Sequence, residues 1–449
     1  MATKITKKDI ITLIDGKKYK DIIETVNRMH PFDIAALFED IPEKYALLLF
    51  RIIPKDLAAD TFVEMDTEQQ ELLIGSFSDT ELQEVVNELY VDDIVDILEE
   101  MPANVVKRIL RNANPHIRNT INELLKYPQN SAGSIMTTEF ISLRSTMTIS
   151  DAINQIRKKG LDSETIDTCY VTDNVNHLIG IVTIKTIILS DDSVKISDVM
   201  DENVVFVNTN DDRESVANLF LKYDLTVLPV VDTESRLVGI ITVDDALDVL
   251  QEETTEDIEK MAAITPTHKP YLKNSVFEIW KSRIPWLLFL MISATFTGMI
   301  ITRFESALRT YVALTAYIPM LMDTGGNAGS QSSVTIIRGI SLGEVDFFDT
   351  LRVIWKESRV AFMCGITLAI VNFIKLLILD NVGVYVAAVV SFTLVLTVLI
   401  AKFVGSTLPI FAKKAGFDPA VMASPFITTI VDALSLLIYF KAAGLLLGV

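Results

Sequence analysis

Four polar residues recur at helical spacing within the last apolar segment of the chain: Ser424, Thr428, Asp432 and Ser435. Their intervals of 4, 4 and 3 residues place them on one face of an α-helix. A carboxylate at the centre of a bilayer costs roughly 2.5 to 3.5 kcal/mol, so it normally faces a helix bundle or an aqueous path. The spacing therefore predicts that Asp432 lines an ion path. A structural aspartate that pairs with a neighbour such as Lys402 is the alternative.

A polar, glycine-rich stretch at residues 323–333 interrupts the second apolar segment. Irregular backbone at membrane depth must line a cavity or find buried partners. We therefore expect unpaired carbonyls, together with Gly325, Gly326, Asn327 and Gln331, to line the path of a hydrated cation. The alternative is a seam of small residues that lets two helices approach closely. A phosphate-binding loop is excluded because no lysine follows at Walker spacing.

Acidic side chains form two groups nearer the start of the chain. Asp245, Asp248, Glu252, Glu256 and Glu259 are spaced by 3, 4, 4 and 3 residues and share one face if a single helix carries them. Each like-charge pair costs roughly 0.2 to 0.5 kcal/mol, and a divalent ion would remove that cost. A capping box at residues 254–257 would instead start a new helix, and a solvated face is the other interpretation. The second group comprises Asp92, Asp93, Asp96, Glu99 and Glu100.

The charge of the 449-residue chain is divided unevenly. Residues 1–280 hold 50 acidic and 27 basic side chains, a net charge of −23, whereas residues 281–449 hold 9 acidic and 13 basic ones, a net charge of +4. An acidic surface does not neutralise phosphates, so nucleic-acid binding by the first part is excluded. The two cysteines, Cys169 and Cys364, provide no disulfide framework. Because the first residues lack the apolar stretch of a signal peptide, we expect the acidic part to remain in the cytosol.

The apolar segments after residue 280 have lengths near the ~20 residues that cross a bilayer. We predict five crossings, at residues 284–302, 311–337, 360–379, 384–411 and 421–447. Basic residues are concentrated before the first crossing, between the second and third, and between the fourth and fifth. The positive-inside rule then places the N-terminal part in the cytosol and the C-terminus outside the cell membrane.

Two regions precede the crossings. Residues 1–130 read as short amphipathic helices broken at Pro31, Pro42, Pro54, Pro102 and Pro115. Residues 32–42 resemble residues 92–102, which indicates a helical solenoid whose hand the sequence leaves open.

The central region contains an imperfect repeat. Each copy has a short strand, an amphipathic helix (residues 149–159 or 213–223), two β-rich runs and a closing helix. The second β-rich run of each copy has the pattern Gly-x-x-Thr. Two such units in tandem resemble a pair of CBS domains, a module that often senses nucleotides or ions.

The order of these regions resembles the MgtE family of magnesium channels over essentially the whole chain. Residues 324–327 (Thr-Gly-Gly-Asn), Gln331 with Ser332, residues 418–420 (Asp-Pro-Ala) and Asp432 carry the resemblance. It implies a homodimer, a Mg²⁺-selective path between two membrane domains with Asp432 as the selectivity residue, and closure by cytosolic Mg²⁺. Ser424, Thr428 and the extra acid Asp323 depart from some relatives.

The resemblance also implies a set of Mg²⁺-sensing acids and a nucleotide site. The sensing acids would be Asp60, Asp92, Asp93, Asp96, Asp212, Glu214, Asp224, Asp245, Asp248, Glu253, Glu256 and Asp257. ATP would bind at Thr242 and Asp245 of the second CBS copy. The first copy lacks the final aspartate, so at most one nucleotide site per chain is expected.

The expected fold is a multidomain membrane protein with an all-α superhelical N-terminal domain, an α/β tandem CBS pair, a connecting helix and a five-helix transmembrane domain. The predicted boundaries are residues 1–130, 131–195, 196–253, 254–280 and 281–449. The predicted function is a Mg²⁺ channel rather than an enzyme, with Mg²⁺, the lipid bilayer and a second copy as partners. An exporter or exchanger that couples ions through Asp432, or a membrane-anchored nucleotide-sensing module, are the alternatives.

Overall fold

The computed structural model describes residues 6–267, 269, 271–422 and 424–447, without the side chains of residues 40, 306, 307 and 424. The chain divides into two compact units, Met1–Leu250 and Gln251–Val449. Each unit is described by itself.

The first unit begins with short helices that follow one another closely. Among the described residues these are α1 (Lys7–Asp15), α2 (Tyr19–Val26), α3 (Pro31–Asp40), α4 (Glu43–Ile52), α5 (Lys55–Val63), α6 (Thr67–Ser76), α7 (Asp79–Glu88), α8 (Val91–Glu100), α9 (Ala103–Asn112) and α10 (Pro115–Leu124).

The predicted proline breaks lie at helix starts. Pro31 and Pro115 are the first residues of α3 and α10, and Pro42, Pro54 and Pro102 immediately precede α4, α5 and α9. Proline is tolerated there because the first N–H groups of a helix have no partner within it.

Two α/β copies follow, as predicted. The first contains β1 (Ser142–Arg144), α11 (Ile149–Lys159), β2 (Thr168–Thr172), β3 (Leu178–Thr183) and α12 (Ile184–Leu189). The second contains β4 (Val207–Asn208), α13 (Arg213–Tyr223), β5 (Val227–Val231), β6 (Leu237–Thr242) and α14 (Val243–Met261). In each sheet the first strand pairs parallel to the second, and the third pairs antiparallel to the second.

The two copies exchange backbone contacts. Thr137, ahead of β1, bridges Ile240 of β6, and Asp201, ahead of β4, bridges Ile181 of β3. One hydrophobic core runs from the short helices into the second copy and ends at Val249 of α14. The helical domain and the CBS pair are therefore packed as one unit.

Helix α14 is continuous over 19 residues and passes from the first unit into the second. The Thr255 hydroxyl donates to the Gln251 carbonyl at 2.8 Å, as it would inside a helix. The alternative of a new helix starting at residue 254 was therefore wrong, and the predicted boundary after residue 253 falls within α14.

The second unit is helical. Its helices are α15 (Val276–Arg303), α16 (Glu305–Thr310), α17 (Ile318–Ser341), α18 (Thr350–Ile378), α19 (Val384–Lys414) and α20 (Ser424–Leu447). Within the described residues, four segments are long and apolar enough to cross a membrane: Val276–Arg303, Phe347–Ile378, Val384–Lys414 and Pro419–Leu447. The 24-residue α17 is long enough but more polar, so its crossing stays a prediction.

The expectation of unpaired backbone carbonyls in the polar stretch of the second apolar segment was wrong. Residues 323–333 lie inside the unbroken helix α17, so their carbonyls belong to a helical backbone. A Cβ on Gly405 of α19 would overlap the carbonyl of Gly329, and a Cβ on Gly326 would lie 2.8 Å from Thr428 Cγ2 of α20. The glycines let three helices approach closely, which agrees with the alternative of a packing seam.

Candidate functional site

The glycine face of α17 leaves its polar residues on the opposite side. Gly325, Gly326 and Gly329 are buried against α19 and α20, whereas the side chains of Asp323, Asn327 and Gln331 are exposed in the single chain. These three residues are spaced by four and so form one polar stripe. The stripe contains the predicted residues Asn327 and Gln331 and adds Asp323.

Helix α20 supplies the predicted carboxylate. Thr428 and Asp432 are half-buried and Ser435 is buried, and the Thr428 hydroxyl donates to the Pro425 carbonyl at 2.9 Å. The side chain of Ser424 lies outside the described residues.

Helices α17 and α20 pack together here, with Gly326 against Thr428, so Asp323 and Asp432 are like charges on adjoining helices and repel each other. Taking up a cation between them would relieve that repulsion.

The proposed pairing of Asp432 with Lys402 is not found. The Lys402 ammonium lies 3.5 Å from Glu357 Oε2 and donates to Ser332 Oγ at 3.1 Å. Because this lysine is paired elsewhere, the alternative of a purely structural Asp432 held by Lys402 was wrong.

A cavity of about 780 Å³ adjoins the polar stripe. Its walls include Asn327 and Gln331 of α17, Glu357 of α18 and Lys402 of α19. Two valines, Val334 and Val360, also line it, and its polar groups are amides, hydroxyls and one ion pair, whose oxygens can contact a hydrated ion.

The end of α14 contacts the loop between α19 and α20 within the second unit. Lys260 Nζ lies 2.6 Å from both Glu256 and Asp418. Burial opposes the charge of Lys260, but its bonds to the two carboxylates outweigh burial and raise its pKa. Glu256, predicted as a Mg²⁺ ligand, is thus paired with Lys260, which no sequence pattern indicates.

In the first unit, carboxylates from several elements meet. Helix α8 supplies Asp92 and Asp93, the start of α14 supplies Asp245, and the loops before β1 and β2 supply Glu139 and Glu164. We call these five residues the acidic cluster. Asp60 and Asp244 add to the repulsion on Asp93.

Desolvation and mutual repulsion raise the pKa of each affected carboxyl in this cluster. The pKa of Asp93 and of Glu164 rises to about 7, and that of Asp245 to about 6. The pKa of Asp92 lies well above its ordinary value for the same reasons. Buried Asp92 Oδ1 and Glu164 Oε2 lack a hydrogen-bond partner among the described residues. A nearby cation would satisfy both atoms.

Local hydrogen bonds hold two cluster members in place. The Thr137 hydroxyl donates to Glu139 Oε2 at 2.7 Å, and the Thr242 hydroxyl donates to Asp245 Oδ2 at 2.6 Å. The two residues of the predicted nucleotide site, Thr242 and Asp245, are therefore hydrogen-bonded to each other. Asp245 also belongs to the acidic cluster.

Sequence reasoning missed Glu139 and Glu164. Each is an isolated acid in a loop, so no periodic pattern indicates it, and only the fold brings it to α8. Asp244, by contrast, adjoins a predicted residue.

The other predicted sensor acids have more local surroundings. Asp212 caps α13 by accepting from the Ser215 N–H at 3.0 Å, and Asp224 ends that helix with a φ of 52°. Asp60 has its pKa raised by burial and by Asp56. The remainder lie on helices α8, α13 and α14: Asp96, Glu214, Asp248, Glu253 and Asp257.

Across the residues that the structure describes, no three carboxylate, imidazole or thiol groups converge closely enough to hold a bare metal ion. The acidic cluster is thus an electrostatic site rather than a closed coordination sphere. Such a site suits an ion that keeps several of its waters, as Mg²⁺ does.

Comparison with known proteins matches each region separately. The family model for the MgtE intracellular N domain matches residues 29–130, CBS domain models match residues 132–191 and 196–252, and the MgtE model, described as a divalent cation transporter, matches residues 318–442.

Relatives match along nearly the full length. The magnesium transporter MgtE of Thermus thermophilus is 36% identical over 443 residues, which is 96% of each chain. The magnesium transporter MgtE of Bacillus subtilis is 32% identical over 97% of this chain and 95% of its own.

A crystal structure of the cytosolic domain of the Mg²⁺ channel MgtE in complex with ATP is 32% identical and aligns with a TM-score of 0.51 over 54% of this chain and 99% of its own. The soluble part of a magnesium transporter is 28% identical and aligns with a TM-score of 0.52 over 55% of this chain and 97% of its own. With full-length relatives above 30% identity and every region in the same order, the chain belongs to the MgtE family of transporters.

Proposed function

We propose that this protein is a Mg²⁺ channel that two copies of the chain form together and that cytosolic Mg²⁺ closes. The observation that carries the proposal is the position of Asp432 on α20, which packs against α17, the helix that carries Asp323 and the polar stripe. The membership in a family of magnesium transporters supports Mg²⁺ as the ion.

The polar stripe supports a dimeric path. Asp323, Asn327 and Gln331 are exposed on a helix of the apolar unit, and charged or amide side chains do not face lipid without cost. A second copy that covers this face would enclose a polar path between two α17 helices and two α20 helices. Each copy would contribute one Asp432.

The chemistry of the stripe suits Mg²⁺ that retains water. Mg²⁺ prefers octahedral oxygen ligands and dehydrates reluctantly. One carboxylate per chain with amide and hydroxyl oxygens would therefore contact the hydrated ion rather than strip it. Selectivity would reflect the size of that hydrated ion.

Gating is assigned to the acidic cluster and α14. When cytosolic Mg²⁺ is low, repulsion among Asp92, Asp93, Asp245 and Glu164 opposes the compact first unit. Mg²⁺ would remove this repulsion, and the continuous α14 would carry the change to the second unit. Several weak sites can supply the ~5.5 kcal/mol that turns a 1:99 ratio of states into 99:1.

Orientation and nucleotide binding complete the proposal. The acidic first unit would lie in the cytosol and the C-terminus outside, in agreement with the distribution of basic residues. ATP would bind at the second CBS copy, a proposal supported by the related cytosolic domain that was crystallised with ATP.

Mg²⁺ flux into proteoliposomes, followed with an entrapped Mg²⁺ indicator, tests the ion path. We expect Asp432→Asn to reduce flux by roughly tenfold or more, because an uncharged amide offsets less of the cost of bringing a divalent ion into the bilayer. Glu305→Gln is the matched control, since Glu305 is exposed and bonds to Arg309. Equal flux in Asp432→Asn and Glu305→Gln would refute the assigned path, and flux that needs a counter-ion gradient would indicate coupled exchange instead.

A further inference from the structure

Helices α17, α18 and α19 of the second unit meet at a buried ion pair that has no role in the proposed ion path. Lys402 of α19 lies 3.5 Å from Glu357 of α18, and both bond to Ser332 of α17. The side chains of Lys402 and Glu357 are 8% and 16% exposed.

The hydrogen bonds form a directed chain. The Lys402 ammonium donates to Ser332 Oγ at 3.1 Å, and the Ser332 hydroxyl donates to Glu357 Oε2 at 2.6 Å. Ser332 is buried, so the hydroxyl is committed to these two partners. The ammonium therefore takes the place that a cation would take beside Glu357.

The pair lies on the wall of the cavity that Asn327 and Gln331 also line. Among the described lining residues, Glu357 and Lys402 carry opposite charges that cancel. A mobile cation in this cavity therefore meets amide and hydroxyl oxygens without a net charge. It can be contacted there and released again.

We propose that Lys402 is a specificity-determining residue, a tethered cation that keeps Glu357 from binding a divalent ion in the cavity beside the transport path. The inference rests on the proposed function in that Asn327 and Gln331 are assigned to the path. Without the ammonium, the Glu357 carboxylate, Ser332 and Gln331 would together offer oxygen ligands to a divalent ion.

Each variant leaves a different net charge in the cavity and therefore has a different expected effect on the binding of divalent ions. Lys402→Met keeps the length of the side chain and leaves the cavity with one negative charge, so divalent ions should bind there. Glu357→Gln leaves one positive charge and should repel them. The double variant has neither charge and should lack the added site. A purely structural clamp would instead predict that both single variants weaken the fold with no difference in ion binding.

The experiment measures Mn²⁺ binding to the full-length protein in detergent at pH 8 by electron paramagnetic resonance, and Mn²⁺ inhibition of Mg²⁺ flux in proteoliposomes. We expect Lys402→Met to gain one Mn²⁺ site per chain and to be inhibited at roughly tenfold lower Mn²⁺ than the wild type. Glu357→Gln should gain no site, and the double variant should lose the one that Lys402→Met gained. Melting temperatures of all variants monitor folding.

Equal Mn²⁺ binding by Lys402→Met and the double variant would overturn the inference, since Glu357 would then not be the ligand. Binding does not depend on flux, so the two proposals fail separately. If the wild-type protein showed no Mg²⁺ flux but Lys402→Met still gained a Mn²⁺ site, the proposed channel function would be refuted and the role of Lys402 in blocking ion binding at Glu357 would be retained. A wild type that carries Mg²⁺ without a gained site in Lys402→Met would refute the role of Lys402 alone.

Discussion

Neighbouring side chains decide whether a carboxylate in this chain is stabilised or destabilised in its charged form. Glu357 has Lys402 as a counter-charge, and Asp418 has Lys260. Burial, together with repulsion by further carboxylates, raises the pKa of Asp93 and of Glu164 to about 7. The proposed role of the acidic cluster therefore predicts a response both to protons and to cations.

The pH dependence of the first unit follows from these pKa values. A carboxyl whose pKa is raised in the compact state favours that state when protonated, so its contribution is lost as the pH rises through about 7. In chelator, we expect the free energy of opening of α8 to fall by about 1 kcal/mol between pH 6 and pH 8, after allowance for solvent screening. This free energy of opening is measured by amide hydrogen exchange of α8 (Val91–Glu100) in the full-length protein, after correction for intrinsic exchange rates.

Saturating Mg²⁺ should remove most of this pH dependence, because the ion rather than the proton then offsets the repulsion. Glu164→Gln should weaken it in chelator, whereas Glu234→Gln, an exposed residue that pairs with Arg236, should leave it unchanged. A pH profile that neither Mg²⁺ nor Glu164→Gln alters would show that the cluster does not control opening.

The members of the acidic cluster also show which site residues a sequence can predict and which it cannot. Asp92, Asp93 and Asp245 are selected by clustering and resemblance, and the structure brings them together. Glu139 and Glu164 join them only because β-bridges and loops of the CBS pair fold toward α8. Tertiary placement of a single loop residue leaves no pattern in the local sequence.

Among the elements, helix α17 shows a conflict between the low helix propensity of its glycines and the close packing that those glycines permit. Its glycines lower intrinsic helix propensity by up to about 1 kcal/mol each, which favours an irregular segment. Close packing against α19 and α20 overrides that preference, because only glycine fits where the backbones nearly touch. Local propensity thus favoured the expected unpaired carbonyls, whereas tertiary contact kept the helix continuous.

This packing predicts the effect of a single methyl group. Gly405→Ala places a Cβ against the Gly329 carbonyl, so we expect the stability of the second unit to fall by about 1–3 kcal/mol and the melting temperature in detergent to fall with it. Gly298→Ala is the matched control, because no atom lies within 4 Å of the added Cβ on α15. Equal melting temperatures for the two variants would contradict the close approach of α17 and α19.

The amphipathic elements were the most predictable ones. Helices α11 and α13 begin and end at the predicted residues. Their apolar period and flanking turns agree with one another, so local and tertiary preferences coincide. For α14 the two disagree, since a plausible capping sequence lies within a helix that continues past it.

At the scale of the whole molecule, charge and hydropathy divide the chain in the same place. The first 280 residues carry −23 and the remainder +4, and the long apolar helices fall in the second part. The proposed division of function follows: the acidic unit would respond to cations and the apolar unit would carry them. Helix α14 belongs to both units and is the covalent route between them.

The most direct measurement is Mg²⁺ flux through the wild-type protein in proteoliposomes, with Mg²⁺ on the cytosolic face clamped at micromolar or millimolar levels. We predict passive flux at micromolar Mg²⁺ and its loss at millimolar Mg²⁺, with a weaker dependence of flux on Mg²⁺ in the Asp93→Asn/Asp245→Asn variant, because neutral amides, like protonated carboxyls, leave less repulsion for Mg²⁺ to remove. Flux that continues unchanged at millimolar Mg²⁺, or that appears only with a counter-ion gradient, would contradict a channel closed by its own ion.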